Sequence, residues 1–221
     1  MFNCNRLFIL SIGNHLDSCR NDVKLLYKCF QLHTEKLYFC GVVDCDPYSI
    51  LINFIKDKDF ESSDLLIIHY SGHGKNIGIK IDKMYMMSTW ISDQNKHTIS
   101  YNIDKLLSDL KCKIFLISDS CHSGTFGDWY TGKSAFIFLG SSNIVSLSTE
   151  YNLSIKSTQS NLSKTIKNGI LLLFLENLLL NHKLNNITKE IFSKELEIFY
   201  ITHKIKIKYI LKFKNIDMVD T

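Results

Sequence analysis

The sequence predicts an α/β fold in which a mostly parallel sheet of about six strands carries helices on both faces. Three observations carry this expectation. Short apolar runs alternate along the chain with segments whose apolar residues recur at helical spacing, the order expected of β-α-β units. The runs are apolar on successive residues, as in strands covered on both faces. And 221 residues, 45% hydrophobic and 22% charged, suffice to bury a core without covalent staples.

Residues 6–13, RLFILSIG, predict the first strand, and NDVKLLYKCFQLH (21–33) a helix with Val23, Leu26, Cys29 and Phe30 on one face. KLYFCGVVD (36–44) returns to strand character. Pro47, the only proline, stands where a helix can begin, and Ile50, Leu51, Phe54 and Ile55 supply its apolar face. DLLIIHY (64–70) predicts a third strand, IGIKID and KMYMMST a hairpin within 75–100, YNIDKLLSDL a helix, and KIFLISD (113–119) a fourth strand. AFIFLGS and NIVSLST read as short strands, the second expected in the sheet. NGILLLFLENLLL and KEIFSKELEIFY predict helices, IKIKYILKF an edge strand, and 151–168 a polar, loop-like tract.

Composition narrows the function. The formal charge of +4 is mild and comes almost wholly from lysine, Arg6 and Arg20 being the only arginines. Lysines crowd only near the C-terminus, where Lys204, Lys206, Lys208, Lys212 and Lys214 alternate with apolar residues. That reads as the exposed face of a strand, not as a nucleic-acid footprint. Seven cysteines without a C-x-x-C pair suggest neither a disulfide framework nor a zinc ribbon, and point to a reducing compartment. The apolar run ILLLFLENLLL is well short of the ~20 residues that span a bilayer. The expectation is a single domain over 1–221, soluble and cytoplasmic, monomeric, with no nucleic-acid or membrane partner.

Two runs end on reactive groups. LLIIHYSGHG (65–74) ends on a histidine between two glycines, and IFLISDSCHSG (114–124) ends on a cysteine. In a parallel sheet such groups gather at the carboxyl ends of the strands. Cys121 suits a nucleophile, since even a small thiolate fraction attacks strongly, and His73 suits its base because histidine titrates near neutral pH. His73 is preferred to His69 because Gly72 and Gly74 let a substrate backbone approach. The N–H groups of Gly74 and Cys121 would meet a developing oxyanion, worth roughly 3–4 kcal/mol per donor. A zinc site from His69, His73, Cys121 and His122 fits no familiar ligand spacing. SGHG has neither P-loop nor dinucleotide-binding spacing.

HYSGHG and DSCHSGT resemble the two active-site motifs of the metacaspases, within the caspase-like cysteine peptidases. The interval of 48 residues from His73 to Cys121 is close to the roughly 50 expected of caspases. The resemblance covers residues 6–213 and implies a caspase-like three-layer sandwich. Residues 1–130 would form a large-subunit-like half with the His/Cys dyad, and 131–221 a small-subunit-like half. LDSCRNDVKLL (16–26) resembles the family segment that helps to form the S1 pocket. By position, Cys19 and Asp22 would line that pocket, with Ser71 and Asp119 completing it. Two carboxylates there would attract a substrate arginine or lysine and disfavour aspartate. Asp22 equally suits a helix first turn. The resemblance thus implies a cysteine endopeptidase acting on proteins or peptides with a basic P1 residue. The competing reading is a catalytically silent caspase-like module that binds other proteins.

The chain departs from the family in its acidic residues. Many metacaspases need calcium held by several aspartates. Of those ligands only Asp128 is kept, and SYNID stands where an acidic pair is expected. Calcium takes six to eight oxygens, so no metal site and weak or absent calcium dependence are expected. The acidic segment expected around STEYNLSIKS is also missing. If the chain cuts itself, Lys133, Lys156 or Lys164 in open stretches are the expected sites.

Overall fold

The computed structural model describes residues 1–14, 16–80, 83–92, 94–142, 150–154, 165–205 and 209–216. Its centre is a six-stranded sheet, ordered β2-β1-β3-β7-β8-β11. It is built from β1 (Leu7–Gly13), β2 (Leu37–Val43), β3 (Leu65–Ser71), β7 (Lys113–Asp119), β8 (Phe136–Gly140) and β11 (Ile210–Lys214). All neighbours are parallel except β11, which closes the edge antiparallel to β8.

The continuous apolar runs have the expected cause. β1, β3 and β8 are buried along their whole length because helices cover both faces. On one face Leu7, Ile9, Ile67, Phe115 and Ile137 pack under α1 (Asp17–Phe30), α4 (Ile170–Asn181) and α5 (Lys189–Thr202). On the other, Phe8, Leu10, Ile68, Leu116 and Phe138 pack under α2 (Pro47–Lys56) and α3 (Ser100–Ser108). This is the three-layer sandwich. Pro47 occupies the first turn of α2, and the Asp46 carboxylate accepts the Tyr48 N–H as its cap. The chain leaves β1 to one side for β2 and returns to its other side for β3, so the sheet has its topological switch between β1 and β3. Ligands of such sheets bind at the carboxyl edge beside that switch.

Three expectations change. The helix predicted over 21–33 begins earlier, at Asp17, and ends at Phe30. The tract 151–168 is not all loop: β9 (Glu150–Ser154) and β10 (Thr165–Gly169) form an antiparallel pair. The expected hairpin is present and gains a strand, β4 (Gly74–Lys80), β5 (Met84–Ile91) and β6 (His97–Ile99) forming a separate antiparallel sheet. NIVSLST lies outside the described residues, as do Lys156, Lys164, Lys206 and Lys208. Among the described residues no helix is long and apolar enough to cross a membrane.

Candidate active site

The site begins with strand register. In the β3–β7 pair, Ser71 lies opposite Asp119, the last residues of the two strands. Gly72 N–H then donates to the Asp119 carbonyl at 3.3 Å, so the chains stay together as they leave the sheet. Two residues further on each side are His73 and Cys121. Gly74 is bound tightly to this arrangement: a Cβ there would run into the carbonyl oxygen of Cys121. Glycine is therefore required by close approach of two backbones, and the approach is to the cysteine.

His73 is held by its own backbone. The Tyr70 hydroxyl lies 2.9 Å from both the His73 and the Ile91 carbonyl oxygens, and Ile91 N–H donates to His73 O at 3.1 Å. That last bond is the pattern of a non-hydrogen-bonded pair at Gly74–Trp90, which leaves the Gly74 N–H outside the β4–β5 ladder. Tyr70 stacks on Trp90 and Trp90 on Phe126, at centroid distances of 4.7 and 4.8 Å. One aromatic column thus joins the histidine strand to the loop that follows the cysteine.

The turn at Cys121 is fixed by hydroxyls. Trp90 Nε1 donates to Ser118 Oγ at 2.8 Å, and Ser118 Oγ lies 3.0 Å from Ser120 Oγ. From the end of β8, Ser142 Oγ donates to the Ser120 carbonyl at 3.0 Å, while Ser123 Oγ donates to the Ser142 carbonyl at 2.9 Å. All these serines are buried. His122 takes the left-handed backbone at φ 55°, and its Nδ1 lies 3.3 Å from Asn76 Nδ2 on β4. The serines escaped the sequence reading because polar letters in SDSCHSG and GSS look like loop. Their signal was their clustering at two strand ends.

Cys121 is half-buried, and His73 is exposed. Cys19, Cys29 and Cys112 are buried, and burial pushes their thiols up to about 11, 12 and 12. His69 does not reach this site. It is enclosed in the sheet, with Nδ1 2.9 Å from Ser11 Oγ and Nε2 without a partner among the described residues. No group of three His, Cys, Asp or Glu among the described residues could hold a metal ion.

Cys19, Asp22, Ser71 and Asp119 do come together. Ser71 Oγ donates to Asp22 Oδ2 at 2.6 Å, and the Cys19 thiol is hydrogen-bonded to Ser71. The surprise is what meets the two carboxylates. Gly169 N–H donates to Asp22 Oδ1 at 2.8 Å, and Leu171 N–H donates to Asp119 Oδ2 at 3.2 Å. The start of α4 therefore sits directly on the acidic pair, and a Cβ at Gly169 would strike the Asp119 carboxylate. Asp22 is 0% and Asp119 6% exposed. The sequence signal for this contact was a glycine immediately before a strongly apolar helix, a pattern also met in ordinary turns.

With this geometry in place, the comparisons are specific. A family model described as the caspase domain matches residues 2–175. The chain belongs to the caspase-domain family. It is also similar to Metacaspase-4 of Arabidopsis thaliana, 30% identical over 131 residues, which covers 49% of this chain and 30% of the plant protein. The chain thus spans under a third of the length of that relative. It is a metacaspase-like caspase domain, and its fold is the three-layer sandwich described above.

Proposed function

We propose that this caspase domain is a cysteine endopeptidase that cleaves proteins after arginine or lysine with a His73–Cys121 dyad. One observation carries the reading: in the β3–β7 register the last pair is Ser71 and Asp119, so the histidine and the cysteine each follow two residues beyond the ends of neighbouring parallel strands, where Gly74 packs on the Cys121 carbonyl. In the first step the Cys121 thiol gives its proton to His73, and its sulfur attacks the scissile carbonyl carbon. The carbonyl electron pair moves to oxygen, where the N–H groups of Gly74 and Cys121 would receive it. Collapse of this intermediate breaks the C–N bond, and His73 returns the proton to the leaving amine. Water, deprotonated by His73, then cleaves the thioester and restores the thiol.

Basic P1 preference would come from Asp22 and Asp119. The donors to them described above are neutral amides and a hydroxyl, which satisfy lone pairs without cancelling charge. A guanidinium entering beside them would gain bidentate contacts. The same burial supports the second reading, a silent protein-binding module, because a substrate side chain would have to displace the Gly169–Leu171 backbone from the carboxylates.

The deciding experiment is hydrolysis of fluorogenic peptides ending in Arg, Lys or Asp, beside Cys121→Ala. Cleavage after Arg and Lys is expected, at least about 100-fold above the variant, as for loss of a nucleophile. Folded protein that cleaves none of them supports the silent module.

A further inference from the structure

The loop after the nucleophile, Ser123–Tyr130, is gripped from two sides by opposite charges. From α3, the buried Asp104 carboxylate accepts Gly127 N–H at 2.8 Å and Trp129 N–H at 2.9 Å. From β11, the Lys212 ammonium donates to the Gly124 carbonyl at 2.6 Å, to the Phe126 carbonyl at 2.9 Å and to Asp128 Oδ1 at 2.6 Å. Lys214 adds the Tyr130 carbonyl at 3.0 Å. The Lys212 side chain is only 22% exposed and lies over the Phe138 ring at 5.3 Å. These lysines are not the solvated strand face that their alternation suggests. The expectation fails because a long side chain at the edge of a sheet can turn back onto unpaired carbonyls of a neighbouring loop.

The calcium that the family resemblance implies does not fit here. Asp128, its one retained ligand, is ion-paired with Lys212, and the carbonyls of Gly124 and Phe126 accept from the same ammonium. Three oxygens around a positive charge are neither enough ligands for calcium nor open to it.

We propose that the Lys212 ammonium is a built-in cation that holds the nucleophile loop in place of a divalent metal ion, so that Lys212 is a positioning residue for Cys121. Three charge-assisted bonds to one loop fix its path as a bound ion would, but through a covalent tether to the last strand of the sheet. The consequence for catalysis rests on the peptidase reading above. The gripping of the loop does not.

The test uses the full chain, with hydrogen exchange read by mass spectrometry and turnover of an arginyl peptide. Lys212→Met is expected to speed exchange of Gly127 and Trp129 and their neighbours about tenfold or more, leaving β1 and β3 as in the wild type. It should lower kcat about tenfold with KM within about twofold, the split expected when only transition-state geometry is lost. Lys212→Arg, which keeps a cation, should restore most of both. Wild-type exchange should be the same in millimolar calcium and in chelator. Should Lys212→Met not fold, Asp128→Asn carries the same test, with a smaller rise in the same segment. Unchanged exchange in the folded variant overturns the proposal, as does calcium that slows loop exchange in the wild type. Exchange that responds as expected, with no turnover in any form, upholds the cation grip and counts against the peptidase reading instead.

Discussion

Burial takes three of the seven cysteines out of reach of a substrate and leaves Cys121 among the four that are partly exposed. Desolvation pushes the thiols of Cys19, Cys29 and Cys112 far up, which keeps them protonated and inert, whereas Cys121 stands half-exposed on its turn. The two histidines of HYSGHG divide in the same way. His73 is exposed beyond the strand end, while His69 is enclosed, and burial depresses its ring to about 3. Folded His69 therefore stays neutral while the unfolded chain takes up a proton below about 6.5, so stability falls as pH drops from there towards 3. At pH 5 this loss amounts to roughly 2 kcal/mol. Urea unfolding of wild type and His69→Gln should show the gap between them narrowing by about that much from pH 7 to pH 5, since glutamine does not titrate. A constant gap would show that the buried ring is not what titrates.

At the scale of elements, the loop after Cys121 is as strongly determined as the strands around it. Burial raises Asp104 to about 7 despite its bonds to Gly127 and Trp129 and the nearby Lys212, with Asp128 pushing it further up. Its sign is opposite to that of His69. The folded state holds the proton more tightly than the unfolded chain, so this group's contribution to stability declines as pH rises from about 4 to about 7. Asp104→Asn should therefore gain on the wild type between pH 5 and pH 8, read as the difference in their urea midpoints. A fixed difference contradicts the buried-carboxylate account. The sequence showed Asp104 only as the one acid of SYNID and Lys212 only as one of an alternating set. Neither pattern reveals that both meet the same loop, because that contact joins residues 84 or more apart for Lys212 and 23 or more for Asp104. β9 and β10 were hidden for a different reason. TIKNG carries one apolar residue and EYNLS two, so neither shows the continuous apolar run by which the strands of the central sheet are recognised.

Across the whole molecule, what was legible was whatever the buried sheet requires. The apolar runs that became β1, β3, β7 and β8 can be read without ambiguity, because covering both faces demands apolar residues in succession. Placement of His73 and Cys121 followed from the ends of those runs. The covering of the acidic pair did not, since the amides of Gly169 and Leu171 reach Asp22 and Asp119 from much later in the chain. The sheet draws strands from both halves of the sequence, with β8 beside β7 and β11 on the far side of β8. The nucleophile turn is thus braced by Ser142 after β8 and by Lys212 on β11. The central claim is that one of seven cysteines, Cys121, acts with His73 beside an acid-lined pocket. Its most direct test is labelling of the full chain with matched peptidyl electrophiles ending in arginine or aspartate, with the modified residue located by mass spectrometry. The account predicts one label, on Cys121, faster with arginine and lost in His73→Ala. A label on any other cysteine, or equal labelling by both electrophiles, would contradict it.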